Sequence, residues 1–118
     1  MLVQFEMITD EMNINFKAFG KRNDNVIIFP DRSVPNTIIS LEFWDSEVEI
    51  RRSGSVDMLQ KFRLNEKCDG YYKNDNGLDF IIASYTTKMI VRENEIYLEY
   101  DYYLENEKQS SNKLKIIF

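Results

Sequence analysis

The chain has 118 residues, of which 43% are hydrophobic and 30% charged, and it carries a net charge of −5. A chain of this length and composition predicts one soluble domain with a single core. The acidic balance argues against binding to nucleic acid phosphates, and no apolar run is long enough to span a membrane. Since no basic leader precedes the first strand-like segment, we expect a cytoplasmic protein whose partners are neither nucleic acids nor membranes.

Two residue counts narrow the chemistry. The sequence has no histidine and a single cysteine, Cys68, which removes His-dependent nucleophilic mechanisms, intrachain disulfides and Cys/His metal clusters. Glu99 and Asp101 alternate outward in a strand-like segment and face lysines, a pattern typical of a solvated surface rather than of paired catalytic acids. We therefore expect no enzymatic activity, no metal and no cofactor, and an ordinary thiol at Cys68.

The N-terminal segment predicts a β-hairpin. Hydrophobic residues alternate with polar ones in "MLVQFEMI" and in "MNINFKAF", which is the period of a strand with one wet face. Opposed residues of antiparallel strands share a face, so opposing Met7 to Met12 also opposes Phe5 to Ile14. The connecting loop is then residues 8–11, a common hairpin length.

The middle of the chain contains further short strands separated by turn sequences such as "FPDRSVPN" and "NDNG". We predict strands at residues 25–29, 37–43, 68–73 and 78–91. The last of these is apolar on both faces, so the identity of its inward face stays open. Residues Thr86–Lys88 are the predicted position of a bend or β-bulge.

The stretch "EVEIRRSGSVDMLQKF", residues 47–62, also predicts a hairpin. A three-residue loop, Ser53–Ser55, keeps the faces consistent and opposes Ile50 to Met58. Arg51 then points outward, and Arg52 points inward at the last rung before the turn. A glycine in the middle of such a loop is unusual, because the left-handed position is normally the last one.

The C-terminal segments "EIYLEYDYYL" and "NKLKIIF" predict another pair of strands. Opposing Tyr100 to Leu114 places Asp101 opposite Lys113 on the outer face, where opposite charges stabilise the pair. Sequential hairpins of this kind predict an all-β fold, a single antiparallel up-and-down β-barrel of about eight to ten strands. A sandwich is the alternative, and a barrel is favoured because closure removes unpaired edges.

Several of these segments together resemble the YwiB-like family of small bacterial proteins. They are "VEIRRSGSVDMLQKF", "NDNGLDF", "TTKMIV", "IYLEYDYYL" and "NKLKIIF", with an Arg-Ser-Gly hairpin followed by Met58 and Gln60 at the centre. The segment "DGYYKNDNG" and the short N-terminal region depart from the family pattern. The resemblance implies a calycin-like (lipocalin-like) β-barrel and implies no activity, because the family has none assigned. Ligand binding would be an analogy with the calycin superfamily.

The candidate site is the inside of the predicted barrel. Four polar side chains, Arg52, Gln60, Tyr100 and Tyr102, are expected to point inward, with Met58 beside them. A buried guanidinium needs partners, and a converging set of this kind suits a carboxylate or phosphate. In the other interpretation Arg52 lies at the barrel end and reaches water, with both tyrosines in the core.

Two functions stay open. One is non-enzymatic binding of a small, partly apolar, acidic ligand by the inward set. The alternative is a protein-interaction module, with exposed aromatics or the hairpin loop as its contacts and a barrel filled by its own side chains. A small barrel is just wide enough for either interior. The expected inward apolar residues are bulky and favour filling: Phe5, Ile14, Phe16, Leu41, Ile50, Met58, Phe62, Leu98, Leu104 and Ile116.

Overall fold

The computed structural model describes all 118 residues as an all-β domain. Its strands are β1 (Leu2–Ile8), β2 (Asn13–Phe19), β3 (Lys21–Asn23), β4 (Val26–Pro30), β5 (Thr37–Phe43), β6 (Val48–Gly54), β7 (Val56–Phe62), β8 (Lys67–Asn74), β9 (Asp79–Arg92), β10 (Glu95–Leu104) and β11 (Glu107–Ile117). The three-residue β3 was not among the predicted strands, and it brings the total to eleven. The structure has no helix, and so none that is long and apolar enough to cross a membrane.

The strands form one antiparallel sheet in the order β2-β1-β11-β10-β9-β8-β7-β6-β5-β4-β3. Every hydrogen-bonded pair joins strands that are consecutive in sequence, except β1 with β11. The predicted up-and-down meander is therefore confirmed. The edge strands β2 and β3 are also consecutive, and the chain between them brings both edges of the sheet together into a nearly closed barrel.

Gly20 is the point at which the barrel closes. A Cβ atom here would lie 2.8 Å from the carbonyl oxygen of Ile28 and 3.1 Å from Cγ2 of Val3, because β4 and β1 both approach the backbone closely. On the inside of the same gap, the rings of Phe16 and Phe29 lie 6.4 Å apart. β2 has no hydrogen-bonded strand on this side, so packing closes the seam.

The first hairpin has the predicted faces but a different register. Phe5 pairs with Phe16 rather than with Ile14, a shift of one full side-chain period. The hydroxyl of Thr9 accepts the backbone N–H of Met12 at 3.0 Å, which places the turn one residue further along than predicted. The register lets the rings of Phe5 and Phe16 stack with centroids 4.9 Å apart.

The other two predicted hairpins are shifted in the same manner. Met58 pairs with Arg52 rather than with Ile50, and Tyr100 pairs with Asn112. Because each shift equals one side-chain period, the inward and outward assignments of the prediction are kept.

The predicted bulge in β9 is present. The register between β9 and β10 shifts where Glu99 pairs with Lys88 and Tyr100 pairs with Thr86. Thr87 is the extra residue, so the inward face changes parity there. The inward residues are Ile82, Ser84 and Thr86 before the bulge and Met89 and Val91 after it.

One apolar core fills most of the barrel. Its buried members are Val3, Phe5, Ala18, Ile27, Phe29, Ile39, Leu41, Phe43, Val48, Ile50, Phe62, Ile96, Leu98, Tyr100, Leu114 and Ile116. Six predicted core residues are among them, whereas Ile14 and Phe16 pack at its edge and Met58 and Leu104 are half-buried. Each fully buried large side chain contributes about 1.5–3 kcal/mol.

Candidate functional site

Inward-facing polar side chains gather at one end of the barrel, here called the polar end. It is formed by the loop after β4, the last residues of β6, the part of β7 up to Gln60, and the facing parts of β10 and β11. The polar end comprises Asp31, Arg52, Gln60, Tyr100, Tyr102 and Asn112.

Arg52 is held by a buried carboxylate. Its Nε donates to Oδ2 of Asp31 at 3.1 Å, and the two side chains are 11% and 0% exposed, respectively. Oδ1 of Asp31 accepts hydrogen bonds from the backbone N–H of Ser33 at 2.8 Å and from the Ser33 hydroxyl. These bonds offset the cost of removing two ions from water. Arg52 therefore points inward, as predicted, and its Nε is bound to protein.

Two further groups contact the guanidinium. Nη1 donates to Oε1 of Gln60 at 3.4 Å and to Sδ of Met58 at 3.9 Å, and Cζ lies 6.0 Å from the ring centre of Phe5. Nη2 has no protein partner. The one fully buried side-chain polar atom without a partner is Oγ1 of Thr86, so Nη2 is not fully buried. The guanidinium thus presents two free N–H donors at the polar end.

Two tyrosines add hydroxyl groups. Tyr100 is buried, and its hydroxyl donates to Sδ of Met7 at 3.6 Å. Burial raises the pKa of Tyr100, although hydrogen bonding with Asn112 and the charge of Arg52 offset part of that rise. Burial also raises the pKa of Tyr102 to about 12. Both phenols therefore stay protonated at neutral pH and can donate hydrogen bonds.

Thr86 contributes an unsatisfied group to the wall of the barrel. β9 places it opposite Tyr100, and its hydroxyl oxygen is fully buried without a hydrogen-bond partner. An unpaired buried hydroxyl costs about 1–3 kcal/mol. A further hydrogen-bond partner at this position would therefore stabilise the barrel.

The rim of the polar end is only partly buried. Its inward-facing residues are Val56, Met58, Tyr72, Phe80, Tyr102, Leu104 and Ser110. They are mostly apolar or aromatic, and the rings of Tyr72 and Phe80 lie 6.2 Å apart. Apolar walls with a few convergent polar groups further in are the usual form of a small-molecule site.

Two depressions on the surface border the polar end. One, of about 800 Å³, is lined by the β4–β5 loop and reaches Asp31. The other, of about 360 Å³, lies beside the first turn and reaches Tyr100 and Asn112. Neither includes Arg52 or Gln60, so both lie at the edge of the polar end.

The remaining candidates from the sequence have ordinary surroundings. Arg51 points outward, as predicted, and its Nη2 lies 3.3 Å from Oε1 of Glu49. Cys68 is buried, and burial raises the pKa of its thiol. Glu99 and Asp101 each contact a lysine on the outer face. No group of three or more Cys, His, Asp or Glu side chains could hold a metal ion.

In and beside the polar end lie the predicted inward set and three residues that the sequence did not reveal. Met58, Gln60, Tyr100 and Tyr102 were all predicted to lie with Arg52. Asp31, Asn112 and Thr86 were not predicted. The only signal for Asp31 was indirect, since a buried arginine requires an acid and "FPDRSVPN" places one acidic residue just after a strand.

The comparisons with known proteins agree with this architecture. The family model described as "Domain of unknown function (DUF1934)" matches residues 4–116. The chain belongs to this family. Among curated proteins, none matches the chain.

A solved structure supports the fold of this DUF1934 domain. The crystal structure of the ywiB protein from Bacillus subtilis superposes with a TM-score of 0.68 at 13% sequence identity. The match covers 98% of this chain and 89% of that chain. The resemblance to the YwiB-like family is thereby confirmed, and at this identity the structural similarity establishes the fold alone. The calycin-like assignment remains an implication of that resemblance.

Proposed function

We propose that this DUF1934 domain binds a small, partly apolar ligand with an acidic group at the polar end of its barrel, without catalysing a reaction. The observation that carries the proposal is Nη2 of Arg52, a donor without a protein partner in a side chain that is largely but not fully buried. Arginine donors in this position suit the oxygens of a carboxylate or phosphate. The rim supplies apolar contact for the rest of such a ligand.

The ion pair between Arg52 and Asp31 determines how the acidic group of a ligand would be held. Since Asp31 already neutralises the charge of Arg52, the acidic group of the ligand is held by directed hydrogen bonds and not by net attraction. Tyr102, protonated at neutral pH, is a second donor in the same end. Binding of this kind should depend weakly on ionic strength, because screening acts on net charges exposed to solvent.

Native mass spectrometry of protein purified from a bacterial lysate tests the proposal. We expect an adduct of small mass in the wild type that disappears on denaturation. The Asp31→Asn/Arg52→Met double variant removes the donor without leaving an unpaired buried charge, and it should lose the adduct. Arg63→Ala, which changes an arginine on the exposed surface, should keep it.

Two outcomes contradict this proposal. One is a wild-type protein that carries no adduct and shows no binding of aromatic or aliphatic carboxylates at millimolar concentration. The other is an adduct that persists in the Asp31→Asn/Arg52→Met variant while the fold is intact by circular dichroism.

A second candidate is a protein-interaction module. The observation that favours it lies on the outer face, where Leu2, Phe19, Ile28 and Ile38 are all exposed. The apolar core fills most of the interior, so the outer surface is the larger area available for recognition. The two candidates use different surfaces and are tested separately.

A further inference from the structure

Exposed apolar side chains flank the outside of the barrel seam. Leu2 and Phe19 oppose each other on β1 and β2. Gly20, next in the chain, lies against the backbone of Ile28 on β4, and Ile38 on β5 pairs with the last residue of β4. We call Leu2, Phe19, Ile28 and Ile38 the seam patch.

Phe19 is the most exposed member of the seam patch. The residue is 77% exposed, and the other three members are between 44% and 53% exposed. Single exposed apolar residues are common, whereas contiguous apolar patches on a small protein often mark an interaction site. Aromatic side chains at the centre of such patches are frequent anchors in protein interfaces.

The border of the seam patch is cationic. Lys17 and Lys21 lie two positions on either side of Phe19, and Lys21 pairs directly with Ile28. Arg32 follows β4 in the adjoining loop. All three cations are exposed, and none takes part in an ion pair.

Nearby acids do not neutralise this border. Asp31, adjacent to Arg32, is buried and bound to Arg52. Glu6 lies diagonal to Lys17 across β1 and β2 but forms no ion pair with it. The positive border therefore stands out on a chain whose net charge is −5, and it favours a partner of opposite charge.

We propose that the seam patch binds an extended protein segment that is both apolar and acidic. β2 pairs only with β1, so its other edge has free backbone groups beside the patch, and an extended segment could use them. A second copy docked patch to patch would bring like charges together. This inference develops the second candidate function and does not depend on a ligand at the polar end.

An NMR titration with two synthetic peptides tests the inference. The first peptide alternates Glu with Leu and Phe, and the second has Lys in place of every Glu. We expect the acidic peptide to bind and to shift the amides of residues 17–21, 28 and 38, and the basic peptide not to bind. Phe19→Ser and Lys21→Glu should each weaken binding of the acidic peptide about tenfold.

Two control variants make the result specific. Ile81→Ser removes another exposed apolar side chain, on β9 and 60% exposed, and should leave binding unchanged. The Asp31→Asn/Arg52→Met variant should also bind the peptide normally, because it alters only the polar end. A loss of binding in this variant alone would assign the peptide to the polar end instead.

Several results would overturn the inference. They are the absence of acidic-peptide binding at millimolar concentration, equal binding of both peptides, and shifts confined to residues outside the seam patch. Preferential binding of the wild type to phosphatidylglycerol vesicles, lost in Phe19→Ser, would identify an anionic membrane as the occupant. A dimer in sedimentation equilibrium that Phe19→Ser dissociates would identify a second copy.

Discussion

At the scale of single residues, the polar end depends on one buried ion pair. Removing either partner leaves the other charge buried and unpaired, which typically costs about 3–5 kcal/mol. We expect Asp31→Ala to lower the free energy of unfolding by an amount in this range. Urea denaturation followed by circular dichroism measures the change.

Two variants separate the ion pair from other causes. Glu47→Ala breaks the pair with Arg63, whose side chain is half-exposed, and should change stability far less. The Asp31→Asn/Arg52→Met variant removes both charges and should recover most of the loss. A double variant as unstable as Asp31→Ala would show that packing or the Ser33 hydrogen bonds, and not the unpaired charge, cause the effect.

The raised pKa of Tyr102 predicts that the stability of the fold falls at alkaline pH. Burial raises its pKa from 10.0 to about 12, so the unfolded chain loses the phenolic proton first. The contribution of the neutral phenol to stability is complete below pH 10.0 and is lost as the pH rises towards about 12. Denaturation across this range should show a steeper decline for the wild type than for Tyr102→Phe. Parallel curves would contradict the assignment.

The residues of the site were predictable where alternation along a strand determines which face a residue lies on. Alternation alone placed Arg52, Gln60, Tyr100 and Tyr102 on the inward face. Asp31 was not predictable in this way, because it lies in a loop, where no period relates sequence position to direction.

At the scale of strands and turns, the sequence predicted faces but not registers. A period of two specifies which residues share a face, but it does not specify which residue of the neighbouring strand each one pairs with. The geometry of the turn then determines this pairing. Thr9 does so in the first hairpin, and Glu105 and Asn106, both with positive φ, do so before β11. The bulge at Thr87 was predictable, since a strand apolar on both parities needs a change of face.

Gly54 and Gly77 form a natural pair for a test of turn geometry. Both have positive φ, but a Cβ atom at Gly54 would lie 1.9 Å from the carbonyl oxygen of Asn36, whereas nothing lies within 4 Å at Gly77. We expect Gly77→Ala to cost about 1–2 kcal/mol from backbone strain alone. Gly54→Ala should cost more than about 3 kcal/mol in the same urea measurement. Equal losses would show that the contact with Asn36 relaxes freely.

The close approach at Gly54 also explains its place in the hairpin. Gly54 pairs with Thr37 of β5, so it is the last residue of a strand and not the middle of a loop. The sequence pattern could not show this, because the constraint comes from a strand that is distant along the chain.

At the scale of the whole molecule, protection from exchange should follow the order of the sheet. β10 lies between β9 and β11, the two longest strands of the sheet. Its residues Ile96, Leu98 and Tyr100 are buried. β3 is a three-residue edge strand whose residues are all exposed. We expect amide exchange to be slowest in β10 and fastest in β3, as measured by NMR. Fast exchange throughout β10 would contradict a single cooperative barrel.

The pairing of β1 with β11 has a kinetic consequence. Every other pair of neighbouring strands is consecutive in sequence, whereas pairing Phe5 with Ile116 closes a loop of nearly the whole chain. We therefore expect β1 and β11 to pair last during folding. Until the first hairpin docks, the eleven residues of β11 offer an open edge to any neighbour. During refolding, the first hairpin of the same chain therefore competes with that of another molecule for this edge. Refolding at high protein concentration should yield strand-exchanged oligomers, and refolding at low concentration should not.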